Sequence, residues 1–284
     1  MQAIYDVPAP AKLNLFLHVV GQRADGYHLI QSVFMLIDWC DTLHFELRAD
    51  GLIARTDIGP GITNILPTND LTVRAAKALQ QACGTTSGVQ ISLDKRIPAE
   101  AGMGGGSSDA ASCLLALQRL WGVKLPHSKL LAIALSLGAD VPFFLFGGNA
   151  WVQGVGEQMT PVILPSADFL VIKPPLGVST PTIFASPALE RGTETATLTG
   201  FATNNETQVF EFGHNDLQPV AQQLCPQITQ SLDWLASKQL RGRMTGSGSA
   251  VFAHLPHEAT VSDHLDGFVV RKCGNLQVHP LAGW

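Results

Sequence analysis

Charge is what this chain of 284 residues has least of: Asp, Glu, Lys and Arg together make up 14%, against roughly 25% in an average soluble domain. Its 18 basic and 23 acidic side chains leave a net charge of −5, and no stripe of Lys or Arg runs through it. That argues against a broad nucleic-acid surface, though not against a local phosphate site. Cysteine is scarce and scattered. Cys40, Cys83, Cys113, Cys225 and Cys273 are odd in number and never in C-x-x-C form, which speaks against a disulfide framework or zinc site and for a reducing cytoplasm. Long apolar runs are missing as well. The most apolar stretch, 130–148, is broken by Asp140 and Pro142, whereas a membrane span needs about 20 predominantly apolar residues. The start, Met1 to Asp6, lacks the basic and apolar regions of a signal peptide. The expectation is a cytoplasmic protein with neither nucleic-acid nor membrane partners.

What is there is apolar: 46% of residues are hydrophobic, too many for disorder and enough for a full core. At roughly 100–200 residues per domain, two domains are expected. Prolines 161, 165, 174, 175, 181 and 187 punctuate the second half, so a boundary is placed near 160, giving domains 1–160 and 161–284. A polar, Thr-rich tract at 190–207 is expected to be an exposed loop.

Residues 11–20 alternate, with Leu13, Leu15, Leu17 and Val19 against Lys12, Asn14, Phe16 and His18. This predicts a strand with one polar face, in the simplest case one on which Lys12 is solvated. Asp25-Gly26 marks a turn, and 29–36 is expected to be a second strand. Helical spacing predicts helices over 70–81, 107–121, 130–137 and 228–237, and strands over 89–93 and 250–253. Strands and helices without regular β-α alternation imply an α+β fold.

The richest chemistry lies in Pro98-Ala99-Glu100-Ala101-Gly102-Met103-Gly104-Gly105-Gly106-Ser107-Ser108. Glycines let the backbone approach a ligand closely, and the free N–H groups of the helix that follows favour an anion. A phosphate cradle is expected; a loop that merely caps the helix is the alternative. The P-loop pattern fails for want of a Lys at the helix mouth, and the nucleophile-elbow pattern G-x-S-x-G is not met. Asp140, between Gly138 and Pro142, is either a carboxylate held by a rigid turn or a turn residue bonded to its own backbone.

These segments resemble the GHMP kinases. Pro98 to Ser108 with Asp109-Ala110-Ala111 is similar to the family's phosphate loop, Gly138-Ala139-Asp140-Val141-Pro142 to its catalytic-acid motif, and Thr245-Gly246-Ser247-Gly248-Ser249 to its C-terminal glycine loop. Pro10-Ala11-Lys12-Leu13-Asn14-Leu15 and Asp25-Gly26-Tyr27-His28 resemble the branch acting on a methylerythritol that carries a cytidyl diphosphate. The resemblance spans about residues 8–253. It implies a two-domain α+β fold with the active site in the cleft, and ATP-dependent phosphorylation of the 2-hydroxyl of that small molecule in isoprenoid precursor synthesis.

The resemblance also implies roles. Lys12 and Asp140 form the catalytic pair, the aspartate taking the hydroxyl proton and the lysine favouring its charged form. Lys95 lies on the adenosine side, with residues 98–108 around the phosphates. Asn14, Tyr27, His28, Thr180 and Phe184 hold the substrate, with Tyr27 and Phe184 as facing walls of a cytosine slot. Mg2+ should arrive with ATP, with no protein ligands assigned. The sequence departs from the family at Asn69-Asp70-Leu71, where Asp70 stands in place of the frequent Asn, so this segment is given no nucleotide contact. His254 and His257 lack metal spacing. A monomer or homodimer is expected. The alternatives are a sibling kinase of the homoserine or mevalonate type, or a nucleotide sensor, which would not need the base.

Overall fold

A computed structural model describes residues 1–59, 70–203, 208–256 and 264–284. Asn69, His257 and the end of the 190–207 tract lie outside the described residues. Two long antiparallel strands, β1 (Ala3–Gln22) and β2 (His28–Arg48), form the spine, turning at 24–26. β2 also pairs with β4 (Gly88–Asp94), β5 (Ala150–Gln153) and β10 (Val269–Leu276). β3 (Ile53–Ile58) runs parallel to β4, and β6 (Gln158–Pro161) pairs with β5. A second group, β7 (Asp168–Lys173), β8 (Arg243–Met244) and β9 (Val251–Leu255), joins through β10. This is the α+β architecture the sequence implied.

Helices α1 (Leu71–Cys83), α2 (Gly105–Leu120), α3 (His127–Leu137) and α4 (Val141–Phe146) cover one face of the first strands. Ala75, Leu79, Leu114, Leu117 and Phe143 bury against Leu43, Phe45, Ile91 and Leu93 there. Asp70 caps α1 by accepting from Val73 N at 2.8 Å, and Gly84 ends it with φ 65°. On the other face Leu13, Leu15, Met35 and Trp39 pack against Phe169, Val171 and Phe252. The second strand group carries α5 (Thr180–Phe184), α6 (Leu198–Ala202), α7 (Gln218–Leu224) and α8 (Pro226–Ser237).

Three expectations need correction. β1 is covered on both faces, so Lys12 is 3% exposed rather than solvated. Its alternation also breaks: the register shifts between Asn14 and Leu17, and Phe16 joins the cluster of Leu13 and Leu15 while Leu17 and Val19 join another. The 190–207 tract is not a plain exposed loop, because α6 lies in it and buries Phe201.

Candidate active site

Both glycine loops, the middle of β1 from Lys12 to Leu17 and the turn before β2 meet around one cavity of about 1470 Å³. Every residue assigned from the sequence lines it except Ser108, which faces inward with its hydroxyl buried and unpartnered.

Asp140 is the residue before α4, with Pro142 in the first turn. Its side chain makes no capping bond, which leaves the carboxylate to the cavity and sets aside the turn-residue alternative. Lys12 reaches it from β1, with Nζ 3.7 Å from Asp140 Oδ2 and 4.9 Å from the Phe34 ring centroid. The ammonium also donates to Asn14 Oδ1. Burial lowers the Lys12 pKa, and the charge of Asp140 opposes that shift. Asn14 is held in turn: its amide Nδ2 donates to Ser32 Oγ at 3.0 Å and its backbone N–H to Thr245 Oγ1 at 2.8 Å. Sequence reasoning missed Ser32, which carries no motif; Thr245 was visible only as the first residue of the C-terminal glycine loop.

The two glycine loops lock together. Ser249 N donates to Glu100 O at 3.1 Å and Ala250 N to Ala101 O at 3.2 Å. A Cβ on Gly102 would lie 2.2 Å from Thr245 O, and one on Gly246 2.7 Å from Gly102 O. Only glycine permits this approach, and both residues have positive φ. Lys12 N donates to Met103 O at 3.0 Å, which ties the loop to β1. α2 starts at Gly105, two residues earlier than expected. Its first helical bond runs from Ser108 N to Gly104 O, so the N–H groups of Gly105, Gly106 and Ser107 precede the intrahelical ladder.

Beside this helix start, Lys95 is clamped between Asp41 and Asp109, 2.8 Å from the latter. Burial works against the ammonium, but the two carboxylates outweigh it and raise its pKa. Burial pushes the Asp109 carboxyl up to about 7 despite Lys95 beside it. Asp70 lines the cavity too, with one oxygen capping α1 and the other bound to Arg55.

Elsewhere in the lining, the Thr180 and Ser247 hydroxyls share a hydrogen bond of 2.6 Å, which ties α5 to the C-terminal glycine loop. The His28 ring rests on Phe184, centroids 4.9 Å apart. Phe184 and His28 thus form one continuous wall, and Tyr27, 64% exposed, projects beside them.

The sequence profile of the GHMP kinases N terminal domain matches residues 70–148, and that of the GHMP kinases C terminal region matches 195–265, together more than half of the chain. The chain belongs to the GHMP kinase family. Among GHMP kinases, a 4-diphosphocytidyl-2-C-methyl-D-erythritol kinase of Polaromonas sp. is 68% identical over all of this chain and 95% of its own length. A crystal structure of 4-(cytidine 5'-diphospho)-2C-methyl-D-erythritol kinase superimposes with a TM-score of 0.73 at 32% identity, covering 94% of this chain and 98% of that one. Homoserine kinase from Cytophaga hutchinsonii gives 0.70 at 15% identity, over 98% of this chain and 96% of its own, a likeness of fold alone. No described helix is long and apolar enough to cross a membrane.

Proposed function

We infer that this GHMP kinase is a 4-diphosphocytidyl-2-C-methyl-D-erythritol kinase. It transfers the γ-phosphoryl group of ATP to the 2-hydroxyl of the substrate, giving the 2-phosphate and ADP, a step in the non-mevalonate route to isoprenoid precursors. The full-length identity of 68% supports the assignment. The observation that carries the chemistry is the Lys12–Asp140 pair, set in the wall of the same cavity as the glycine loop and the Tyr27–His28 turn.

Phosphoryl transfer needs a fixed triphosphate, offset charge and an aligned acceptor hydroxyl. Residues 98–107 and the N–H groups opening α2 are proposed to hold the phosphates, with Lys95 on the adenosine side. Asp140 accepts the hydroxyl proton as general base. Lys12, held by Asn14, directs its positive charge at the same hydroxyl and at the incoming phosphoryl oxygens. Tyr27 offers a flat face for cytosine, Phe184 and His28 the adjoining wall, and Thr180 reaches toward the diphosphate end. On this reading residues 1–160 carry the catalytic pair, and 161–284 close the cleft with Thr180, Phe184 and Ser247.

Among the described residues no three His, Cys, Asp or Glu side chains are grouped to hold a metal. The Ser107 hydroxyl in the cavity wall is a hard oxygen donor suited to Mg2+ that keeps its waters and the phosphate oxygens as further ligands. Bound there with ATP, Mg2+ supplies positive charge to the β- and γ-phosphates.

The test is ADP release measured with the cytidyl-methylerythritol substrate, homoserine and mevalonate in parallel. Turnover confined to the cytidyl substrate is expected. Turnover with either alternative, and none with the cytidyl compound, would refute the assignment while leaving the kinase reading standing.

A further inference from the structure

Arg191 lies in the polar tract after α5 and stands behind the cavity wall rather than in it. Its guanidinium Nε donates to His28 Nε2 at 3.0 Å. Nη1 donates to Leu189 O at 3.0 Å, and Nη2 to Phe184 O at 3.0 Å and Ser186 O at 2.8 Å. A guanidinium has donors only and keeps its charge, so His28 Nε2 must be the acceptor. An imidazole that accepts at Nε2 is neutral and carries its single hydrogen on Nδ1. Burial first, and then the Arg191 charge, lowers the His28 pKa, so the neutral ring persists below the usual histidine range. The same guanidinium holds the carbonyl of Phe184, whose ring seats the imidazole. One cation therefore sets the position of two rings and the tautomer of one.

We propose that Arg191 is a positioning residue for base selection: it presents His28 to the cavity as a fixed Nδ1–H donor, favouring a pyrimidine whose ring N3 is an acceptor. Cytosine has such an N3, whereas uracil carries a hydrogen there and would set donor against donor. The inference rests on the cytidyl reading of the site and goes beyond it by naming what enforces the choice. The tract itself is held independently of His28. Thr193 N donates to Val19 O at 3.2 Å, Thr193 Oγ1 to Asp216 Oδ2 at 2.7 Å, and Ala196 N to Gln31 Oε1 at 2.8 Å. Removal of the guanidinium should leave the chain path in place.

CDP, UDP and ADP are titrated calorimetrically against the wild-type protein, Arg191→Met, His28→Ala and the double variant. Arg191→Met is expected to cut the preference for CDP over UDP by about tenfold or more, the scale of one opposed hydrogen bond. ADP affinity should stay within about twofold, and Arg191→Met should change the CDP-over-UDP preference no further in the His28→Ala background. A second measurement needs no altered loop: 15N spectra of the wild-type imidazoles, with His28→Ala identifying the signal, should show Nδ1 protonated and Nε2 bare. An Nε2–H or averaged tautomer overturns the proposal. So does an unchanged CDP preference in Arg191→Met, an equal loss of all three nucleotides, or an Arg191 effect on the CDP-over-UDP preference that persists without His28. Wild-type protein that binds CDP and UDP alike would overturn the cytidyl reading and this inference together, whereas a CDP preference indifferent to Arg191 overturns this inference alone.

Discussion

Lys12→Met removes a buried charge while keeping most of the side-chain volume, and its consequences for stability and turnover should run in opposite directions. The Lys12 side chain is 4% exposed, and burial lowers its pKa against the pull of Asp140. Burying an ammonium costs several kcal/mol, of which one carboxylate oxygen at 3.7 Å returns only part. Replacing buried ionic groups by apolar ones of similar volume is often neutral or stabilising by about 1–4 kcal/mol. Two terms oppose that gain. Asn14 Oδ1 loses its donor, at about 1–2 kcal/mol, and Asp140 loses its partner, a small loss because its side chain is 33% exposed and can turn to water. Taken at the middle of these ranges, a gain of about 2.5 kcal/mol against a cost of about 1.5 kcal/mol leaves a variant about 1 kcal/mol more stable, melting a few degrees higher at most. Turnover should fall by about 10²-fold or more, as when an electrostatic contact to the transition state is lost.

The pH dependence has a definite sign. The folded pKa of Lys12 lies below its unfolded value, so the unfolded chain binds more protons between the two, and wild-type stability rises with pH there. The contribution is fully present above about pH 10.4, the unfolded lysine value, and is lost as pH falls through the folded one. The advantage of Lys12→Met should therefore shrink between neutral pH and pH 10. Thermal unfolding without ligands at both pH values, together with steady-state ADP release, tests this. A variant that melts well below the wild type at neutral pH would make Lys12 a structural residue, and near-normal turnover would remove it from catalysis.

Asp140→Asn should retain the melting temperature and ATP affinity and lose about 10²–10⁴ in turnover, the usual contribution of a positioned base; calorimetry with single-turnover kinetics checks it. Gly102→Ala should destabilise the protein by about 2 kcal/mol or more, from positive φ and overlap with Thr245 O. Gly106→Ala, whose Cβ would meet only Leu71 Cδ1 at 3.7 Å inside α2, should be neutral or stabilising by about 0.5–1 kcal/mol; denaturant unfolding of the pair decides. Gly104→Val should weaken ATP binding because its side chain would press on Phe144 at 3.1 Å and on Lys12 at 3.4 Å, displacing the catalytic lysine rather than filling phosphate space. Tyr27→Ala should raise the dissociation constant for CDP about tenfold or more and leave ADP unchanged, with Tyr27→Phe much milder, since stacking on an aromatic is worth roughly 1–3 kcal/mol per base.

Features encoded over short stretches are legible in the amino-acid sequence by itself. The Asp70 cap and Gly84 stop of α1, the hairpin turn at 25–26 and the glycine run that opens α2 all depend on neighbours within a few residues. Motif order is enough to bring Lys12 and Asp140 together across 128 positions as a family resemblance, but not to reveal that Lys12 is buried. Alternation along β1 separates two faces without telling whether a second layer covers the polar one. Here helices cover one side and the strands around Phe169 and Phe252 the other, and that double burial turns a strand lysine into a desolvated cation. The register shift after Asn14, the union of the two strand groups by β10 against β2, and the Ser32 and Thr245 supports of Asn14 are equally non-local. Arg191 makes the contrast plainest. In the sequence it is one arginine in a Thr-rich tract; only the fold carries it 163 residues back to His28, because a hydrogen bond depends on proximity in space and leaves no periodicity or spacing along the chain.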